Sequence, residues 1–146
     1  MLRRLTSTSA SWAPLPLRLA MGVAFVGHGA QKVLGTFNGP GWAKWIQMPA
    51  QYAPLPFMRP TAVWLGAAAI AELVAGILIL LGLMTRIGAL LLIPVMITAI
   101  FILWPAYFAP GGMELAVTFL AISLTLLITG GGQLSIDRML ARGGRR

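Results

Sequence analysis

Four long apolar segments limit what this chain can fold into more than any other feature of its sequence. They cover residues 15–34, 61–83, 86–104 and 113–129. A helix rises about 1.5 Å per residue, so a segment of about twenty residues matches the roughly 30 Å hydrocarbon core of a bilayer. Because the connections GLMTR and PAYFAPGG are short, consecutive helices should alternate in direction. The sequence predicts an all-α integral membrane protein, a four-transmembrane-helix up-down bundle forming one domain over residues 1–146.

The connection between the first two segments is long and rich in aromatic residues. It reads GTFNGPGWAKWIQMPAQYAPLPFMRP and contains Trp42, Trp45, Tyr52 and Phe57. Tryptophan and tyrosine concentrate where a bilayer meets water. We therefore expect an interfacial segment between helices 1 and 2, in which GWAKWIQM forms a short helix at the membrane surface.

Basic residues outnumber acidic residues by eleven to three, which gives a formal charge of +8. This balance can indicate nucleic-acid binding, but here the basic residues stand at the ends of apolar segments and in the tail, residues 133–146. That placement favours anionic lipid headgroups, and no nucleic acid is expected as a partner. In a four-span protein, Arg3, Arg4, Arg86, Arg138, Arg142, Arg145 and Arg146 share one side, opposite Lys44 and Arg59. The positive-inside rule then places both termini in the cytoplasm.

The tail itself has two interpretations. Ser135 can act as the N-cap of a basic surface helix that carries Arg138 and Arg142 one turn apart. The same residues are equally compatible with a solvated and frayed terminus. The sequence leaves both interpretations open.

The residue types that are absent also bound the chemistry. The chain has no cysteine and one histidine, so it forms no disulfide and no multi-histidine metal site within a monomer. We expect no metal or haem to be held by this chain alone. Redox chemistry would have to come from a bound cofactor or from a partner protein.

Charged residues inside the apolar segments are the candidate functional residues. At 100° per residue, Arg18, His28 and Lys32 lie within an arc of about 80° on the first helix. Arg18 and Lys32 stand near the helix ends, where their side chains can also extend to the lipid headgroups. His28 lies deeper, and an ionisable group there usually faces a bundle interior and a partner.

Two glutamates provide the expected partners. Glu72 is flanked at helical spacing by Ala68, Ala69, Ala75 and Gly76, which mark a face that packs closely on another helix. Glu114 begins a face that continues through Thr118, Ala121, Thr125 and Thr129, and we expect this face to point inward. Matching depths predict a Lys32–Glu114 pair near the outer boundary and a deeper His28–Glu72 pair. These contacts would either form an internal polar site or only hold the helices in register.

The order of these motifs resembles the DoxX family of small four-helix bacterial membrane proteins. The resemblance runs from Arg18 to Asp137 and is carried by Arg18, HGAQK, AELVAGILILLGLMTRIGALLL, GGMEL and GGGQLSID. It implies a bacterial inner-membrane location, with structural roles for Arg18, Arg86 and Asp137. Related proteins resemble membrane subunits of quinone-linked thiosulfate oxidation, and some mycobacterial members scaffold a superoxide dismutase and a sulfurtransferase.

The resemblance and the polar residues together predict a membrane subunit of a quinone-linked oxidoreductase. His28, Lys32, Glu72 and Glu114 would line a cofactor-binding pocket that holds a quinone headgroup or passes protons to it. Soluble or membrane oxidoreductase subunits are the expected partners, and a homo-oligomer is an open alternative. Two other functions stay open: a non-enzymatic anchor for soluble redox proteins, and a small-molecule or ion transporter, for which no inverted repeat is visible.

Overall fold

The computed structural model describes residues 7–143, and this part of the chain contains helices and no strands. The helices are α1 (Pro14–Leu34), α2 (Gly41–Trp45), a short 3-10 helix (Ala50–Tyr52), α3 (Thr61–Leu81), α4 (Thr85–Leu103), α5 (Glu114–Thr129) and α6 (Ile136–Gly143). The bounds of α1, α3, α4 and α5 agree within two residues with the four apolar segments. Arg3, Arg4, Arg145 and Arg146, which entered the orientation argument, lie outside the described residues.

Two of these helices, α3 and α4, are long and apolar enough to cross a membrane. Helix α1 has the same length as α3, 21 residues, but is less apolar because it carries Arg18, His28 and Lys32. Helix α5 is apolar but has only 16 residues. At 1.5 Å per residue it is about 24 Å long.

Glycines bring the backbones of α1 and α3 into direct contact. A Cβ added to Gly29 would lie 2.5 Å from the Leu73 backbone, and one added to Gly22 would lie 2.7 Å from the Leu80 Cβ. On α3, Gly76 makes the same close approach to Val26. These contacts run in opposite order along the two helices, so α1 and α3 are antiparallel. Gly76, one of the small residues predicted to mark a close-packed face around Glu72, therefore lies on the face where the two helices pack.

The same contacts set a stagger between the two helices. Since Gly29 faces Leu73, the end of α1 is level with about residue 68 of α3. The first two turns of α3 consequently extend beyond α1. Helix α2 covers this extension: the Trp45 indole donates to the Leu65 carbonyl at 2.8 Å, and the Trp42 ring lies against Gly66.

Arg18 joins three parts of the chain at the other end of the bundle. Its side chain is almost fully buried, with 2% of the residue exposed, so it does not extend to the surface. The guanidinium donates to the carbonyls of Ile79 and Leu80, each at 2.9 Å. It also donates to Gly131 at 2.9 Å and to Leu134 at 2.6 Å. Arg18 thus satisfies the last carbonyls of α3 and ties them to the segment before α6.

Asp137 and Arg86 serve two further helix ends. The Asp137 carboxylate accepts hydrogen bonds from the Met84 and Thr85 amides, at 2.7 and 3.0 Å, and from the Thr85 hydroxyl at 2.8 Å. A carboxylate at this position satisfies the free amides at the start of α4. Arg86 donates to the carbonyls of Leu127 and Ile128 near the end of α5, at 2.6 and 2.8 Å.

The face of α5 that we expected to point inward is exposed, and that prediction is wrong. Thr118, Ala121 and Thr125 lie on the outer surface. The Thr118 hydroxyl donates to the Glu114 carbonyl and the Thr125 hydroxyl to the Ala121 carbonyl, at 2.8 and 2.9 Å. A threonine satisfied within its own helix needs no partner from the bundle. The buried residues of α5 are Ala116, Ser123 and Leu126.

The tail forms a helix, as one of its two interpretations predicted. The Ser135 hydroxyl accepts a hydrogen bond from the Arg138 amide at 3.2 Å, which is the geometry of an N-cap. Helix α6 then presents Met139, Leu140 and Arg142 on its exposed surface. Asp137, on the same helix, is buried and anchors it to the start of α4.

Candidate functional site

Lys32 and Glu72 form an ion pair inside the bundle. The Lys32 ammonium lies 2.6 and 2.5 Å from the two carboxylate oxygens of Glu72. The Glu72 side chain is 5% exposed and the Lys32 side chain 19% exposed. The ammonium also lies 4.6 Å from the centre of the Trp45 ring, a cation–π contact that holds the lysine from a second side.

The predicted pairing of these residues is wrong, because Lys32 pairs with Glu72 and not with Glu114. The prediction assumed that His28 and Glu72 lie at the same depth. The contacts of Gly22 and Gly29 instead place Glu72 level with about residue 30 of α1, midway between His28 and Lys32, so side-chain direction and not depth lets Lys32 reach Glu72. His28 is exposed and packs on Phe25, with 6.2 Å between the ring centres. Among the described residues it makes no hydrogen bond to Glu72.

Glu114 organises the loop between α4 and α5. Its carboxylate accepts a hydrogen bond from the Phe108 amide. Gly112 leaves room for it, since a Cβ at that position would collide with the Glu114 carboxylate. The Met113 amide closes the same loop by donating to the Ala106 carbonyl at 2.8 Å. Glu114 is thus partly exposed and engaged with the backbone.

All four predicted site residues nevertheless line one cavity, which we call the polar cavity. Its volume is about 530 Å³, and its walls include His28, Lys32, Glu72 and Glu114. The remaining wall is mainly apolar and comes from α1, α4, α5 and the loop at residues 109–112. A volume of this size and a few converging polar groups are typical of a small-molecule site.

A second cavity, of about 400 Å³, lies on the other side of the ion pair. We call it the aromatic cavity, because Trp45, Tyr52 and Trp64 contribute to its walls. Ala67, Ala68 and Ala71 of α3 leave the space that it occupies opposite α4. The sequence prediction missed it, since Trp45 and Tyr52 were assigned only to the membrane surface. The run of alanines beside Trp64 is the signal that could have indicated it.

The Lys32–Glu72 pair belongs to the walls of both cavities. Ala99 and Leu103 of α4 are also shared, so the two cavities meet along this helix. His28 and Glu114 line the polar cavity and not the aromatic cavity. Within residues 7–143, no group of three or more His, Asp or Glu side chains is placed to hold a metal ion. The arrangement offers one partly buried donor and one buried acceptor between a polar and an apolar space.

The family comparison agrees with the resemblance seen in the sequence. The DoxX family model matches residues 13–104, which is 92 of the 146 residues and includes α1 to α4 with the Lys32–Glu72 pair. The motifs GGMEL and GGGQLSID lie beyond the matched residues. Comparisons with curated proteins and with solved structures found no match.

Proposed function

This chain belongs to the DoxX family, and we propose that it is a membrane subunit of a quinone-linked oxidoreductase or redox-stress system. The observation that carries the proposal is the position of the Lys32–Glu72 pair at the junction of two cavities. A buried ion pair that merely held two helices together would not need empty space on both sides.

The chemistry of the pair suits the ring of a quinone. The Lys32 ammonium has three hydrogens, so it can donate to a ligand carbonyl oxygen while it still contacts Glu72. Glu72 can accept a hydrogen bond from a ligand hydroxyl. A bound quinone would supply the redox chemistry, while the protein supplies binding, orientation and electrostatics.

We assign proton movement to the polar cavity, as a role separate from quinone binding at the ion pair. His28 and Glu114 are titratable and line this cavity on the side where residues 109–112 form its wall. Ionisable residues that follow one another through a membrane protein commonly relay protons. Here they would connect the ion pair with the protein surface.

We further propose that four helices cross the bacterial inner membrane, with both termini in the cytoplasm. In this arrangement α1 and α5 accompany α3 and α4, and α2 lies at the outer surface. Arg86, Arg138 and Arg142 then share the cytoplasmic side, while Lys44 and Arg59 lie outside. The asymmetry follows the positive-inside rule.

Quinone binding can be tested with the full chain in lipid nanodiscs. The probe is a benzoquinone without a tail, and the signal is quenching of tryptophan fluorescence, since Trp45 contacts Lys32. Glu72→Gln should weaken binding about ten-fold, because it replaces a charged partner of Lys32 by a neutral one. Glu72→Gln should affect unfolding much less than binding, so its thermal midpoint should stay close to that of the unmodified protein.

Gln31→Met is the matched control for this measurement. Gln31 neighbours Lys32 in sequence and lines neither cavity. It should bind the probe as the unmodified protein does. The proposal fails if the unmodified protein does not bind the quinone, or if Glu72→Gln binds it with unchanged affinity.

A membrane anchor for soluble redox proteins is the second candidate, and α6 is the observation that favours it. Its exposed surface combines Met139 and Leu140 with Arg142 at the end of the described chain. A triple substitution of these residues by glutamate leaves Asp137 in place. It should abolish co-purification of a soluble partner from native membranes while quinone binding persists. If the partner still co-purifies with the triple variant, the anchor role of α6 is excluded.

A further inference from the structure

The aromatic cavity has the walls of a site for a hydrocarbon chain. Apart from the ion pair, its described lining is almost entirely apolar, with Tyr52 and Thr98 as the polar exceptions. Along α4 it follows the helix from Leu91 to Leu103. At 1.5 Å per residue, this is a path of roughly 18 Å.

The cavity opens on the outer surface of the two most apolar helices. Trp64 and Ala67 of α3 and Pro94 of α4 are exposed where they line it. Met58, Leu65 and Glu72 are buried at its inner wall. Because α3 and α4 are the helices with the length and composition of membrane spans, this opening would face lipid and not water.

The charge at the inner end distinguishes between two kinds of amphiphile. Lys32 is already neutralised by Glu72, so the pair carries no net charge. A phosphate group would meet the Glu72 carboxylate as well as the ammonium, and like charges in a low-dielectric setting repel strongly. A neutral ring with hydrogen-bonding oxygens meets no such repulsion. The geometry therefore favours a quinone over a phospholipid.

We propose that the aromatic cavity binds the hydrocarbon tail of a membrane quinone whose ring contacts Lys32 and Glu72. The inference rests on the proposed function, and it adds the path by which the ligand enters and the part of the ligand that gives affinity. The tail enters sideways between α3 and α4, and the polar cavity stays free for protons. A tail that enters from lipid has already left water, so its contribution to affinity comes from packing against the cavity walls and from holding the ring beside Lys32 and Glu72.

The test compares a decyl-chain benzoquinone with the same ring lacking the chain. Both are titrated into nanodiscs containing the full chain, with tryptophan quenching as the signal. Ala71→Phe fills the cavity from α3, and Thr98→Phe fills it from α4, so a folding defect in one variant leaves the other. Ile70→Phe is the matched control, since Ile70 precedes Ala71, is exposed and lines neither cavity.

With each quinone concentration counted within the lipid, the inference expects the unmodified protein to bind the decyl quinone at least about ten-fold more tightly than the ring alone. Either filling variant should remove most of this difference and leave binding of the ring unchanged. Ile70→Phe should keep the difference in affinity between the decyl quinone and the ring. The inference is overturned, with the proposed function intact, if the ring binds and the chain adds no affinity, or if all three variants behave alike.

Two outcomes separate the remaining explanations. If neither quinone binds the unmodified protein, the proposed function fails and the tail site fails with it. Phospholipids with brominated acyl chains provide the other arm, because bromine quenches nearby tryptophans such as Trp64. Because the quinone itself quenches tryptophan, the competitor in this arm is decylbenzene, and bromine quenching that it relieves in the unmodified protein but not in Ala71→Phe supports the tail site. Bromine quenching that decylbenzene leaves unchanged in the unmodified protein would overturn the inference.

Discussion

Lys32 is half-buried and Glu72 is buried, and each depends on the other as its charged partner. Each has lost much of its hydration, and each depends on the other for compensation. Trp45 adds to the compensation of the lysine alone. The energetic consequences of substitution should therefore be strongly non-additive.

Lys32→Met should lower the free energy of unfolding by about 3 kcal/mol, because it leaves Glu72 buried without a partner. The double substitution Lys32→Met with Glu72→Leu should be more stable than the single variant, since no charge is left unpaired. Thermal unfolding in detergent measures both differences. Purely additive losses would show that the two residues do not interact in the folded protein.

We predict opposite effects on stability for alanine substitution at Gly82 and at Gly27. Gly82 ends α3 with a φ of +67°, and a Cβ there would lie 2.5 Å from the Arg18 guanidinium carbon. Gly82→Ala should therefore destabilise the protein by about 1–3 kcal/mol. Gly27 lies inside α1 with nothing within 4 Å of an added Cβ. Gly27→Ala should stabilise the helix by about 0.5–1 kcal/mol.

Thermal unfolding of both glycine variants under one condition checks the contrast. Equal effects of the two substitutions would mean that neither the conformation of Gly82 nor its contact with Arg18 limits stability. Loss of Gly82→Ala from the membrane fraction, with normal levels of Gly27→Ala, would be the same result seen in cells.

At the scale of elements, remote side chains complete the helix ends. Arg18 serves the end of α3, Arg86 the end of α5 and Asp137 the start of α4. None of these side chains comes from the helix end that it satisfies. The helices consequently depend on the assembled bundle for their termini, and not only for their apolar faces.

Asp137→Ala should cost at least about 3 kcal/mol, because it removes the acceptor of three hydrogen bonds in a buried position. It should also release α6, which limited proteolysis would detect as early cleavage of the tail. Arg142→Ala on the exposed surface of the same helix should change stability by less than about 0.5 kcal/mol. Similar effects of the two substitutions would contradict the capping role of Asp137.

At the scale of the whole molecule, the two ends of the bundle differ in construction. The end with Arg18, Arg86 and Asp137 is joined by a network of charged hydrogen bonds. The other end is covered by α2 and by the loop that Glu114 organises. In the proposed topology, the end with Arg18, Arg86 and Asp137 would face the cytoplasm.

The topology can be tested with single cysteines, since the chain contains none. Lys44→Cys and Met139→Cys replace exposed residues at opposite ends. A membrane-impermeant maleimide should label only Lys44→Cys in intact spheroplasts and both variants after permeabilisation. Labelling of both from the outside, or of neither, would contradict the proposed orientation.

The sequence alone determined the helices and the direction in which one critical residue points. Hydrophobic length and breakers such as Gly82 set the helix bounds within two residues. Small residues around Glu72 identified a close-packed face, because only small side chains allow helix backbones to touch. The need of each charge within an apolar segment for a partner was also visible from the sequence.

Only the tertiary structure decided which partner each charge received. Periodicity specifies the angle at which a side chain leaves its helix, but it does not specify how far one helix slides along another. The contacts of Gly22 and Gly29 with α3 set that slide, which places Glu72 level with about residue 30, between His28 and Lys32. The packing of α1 then leaves His28 exposed and turns Lys32 toward Glu72. Likewise, the threonines of α5 could face outward because each hydroxyl found its acceptor within the helix, a local solution that a polar face does not reveal.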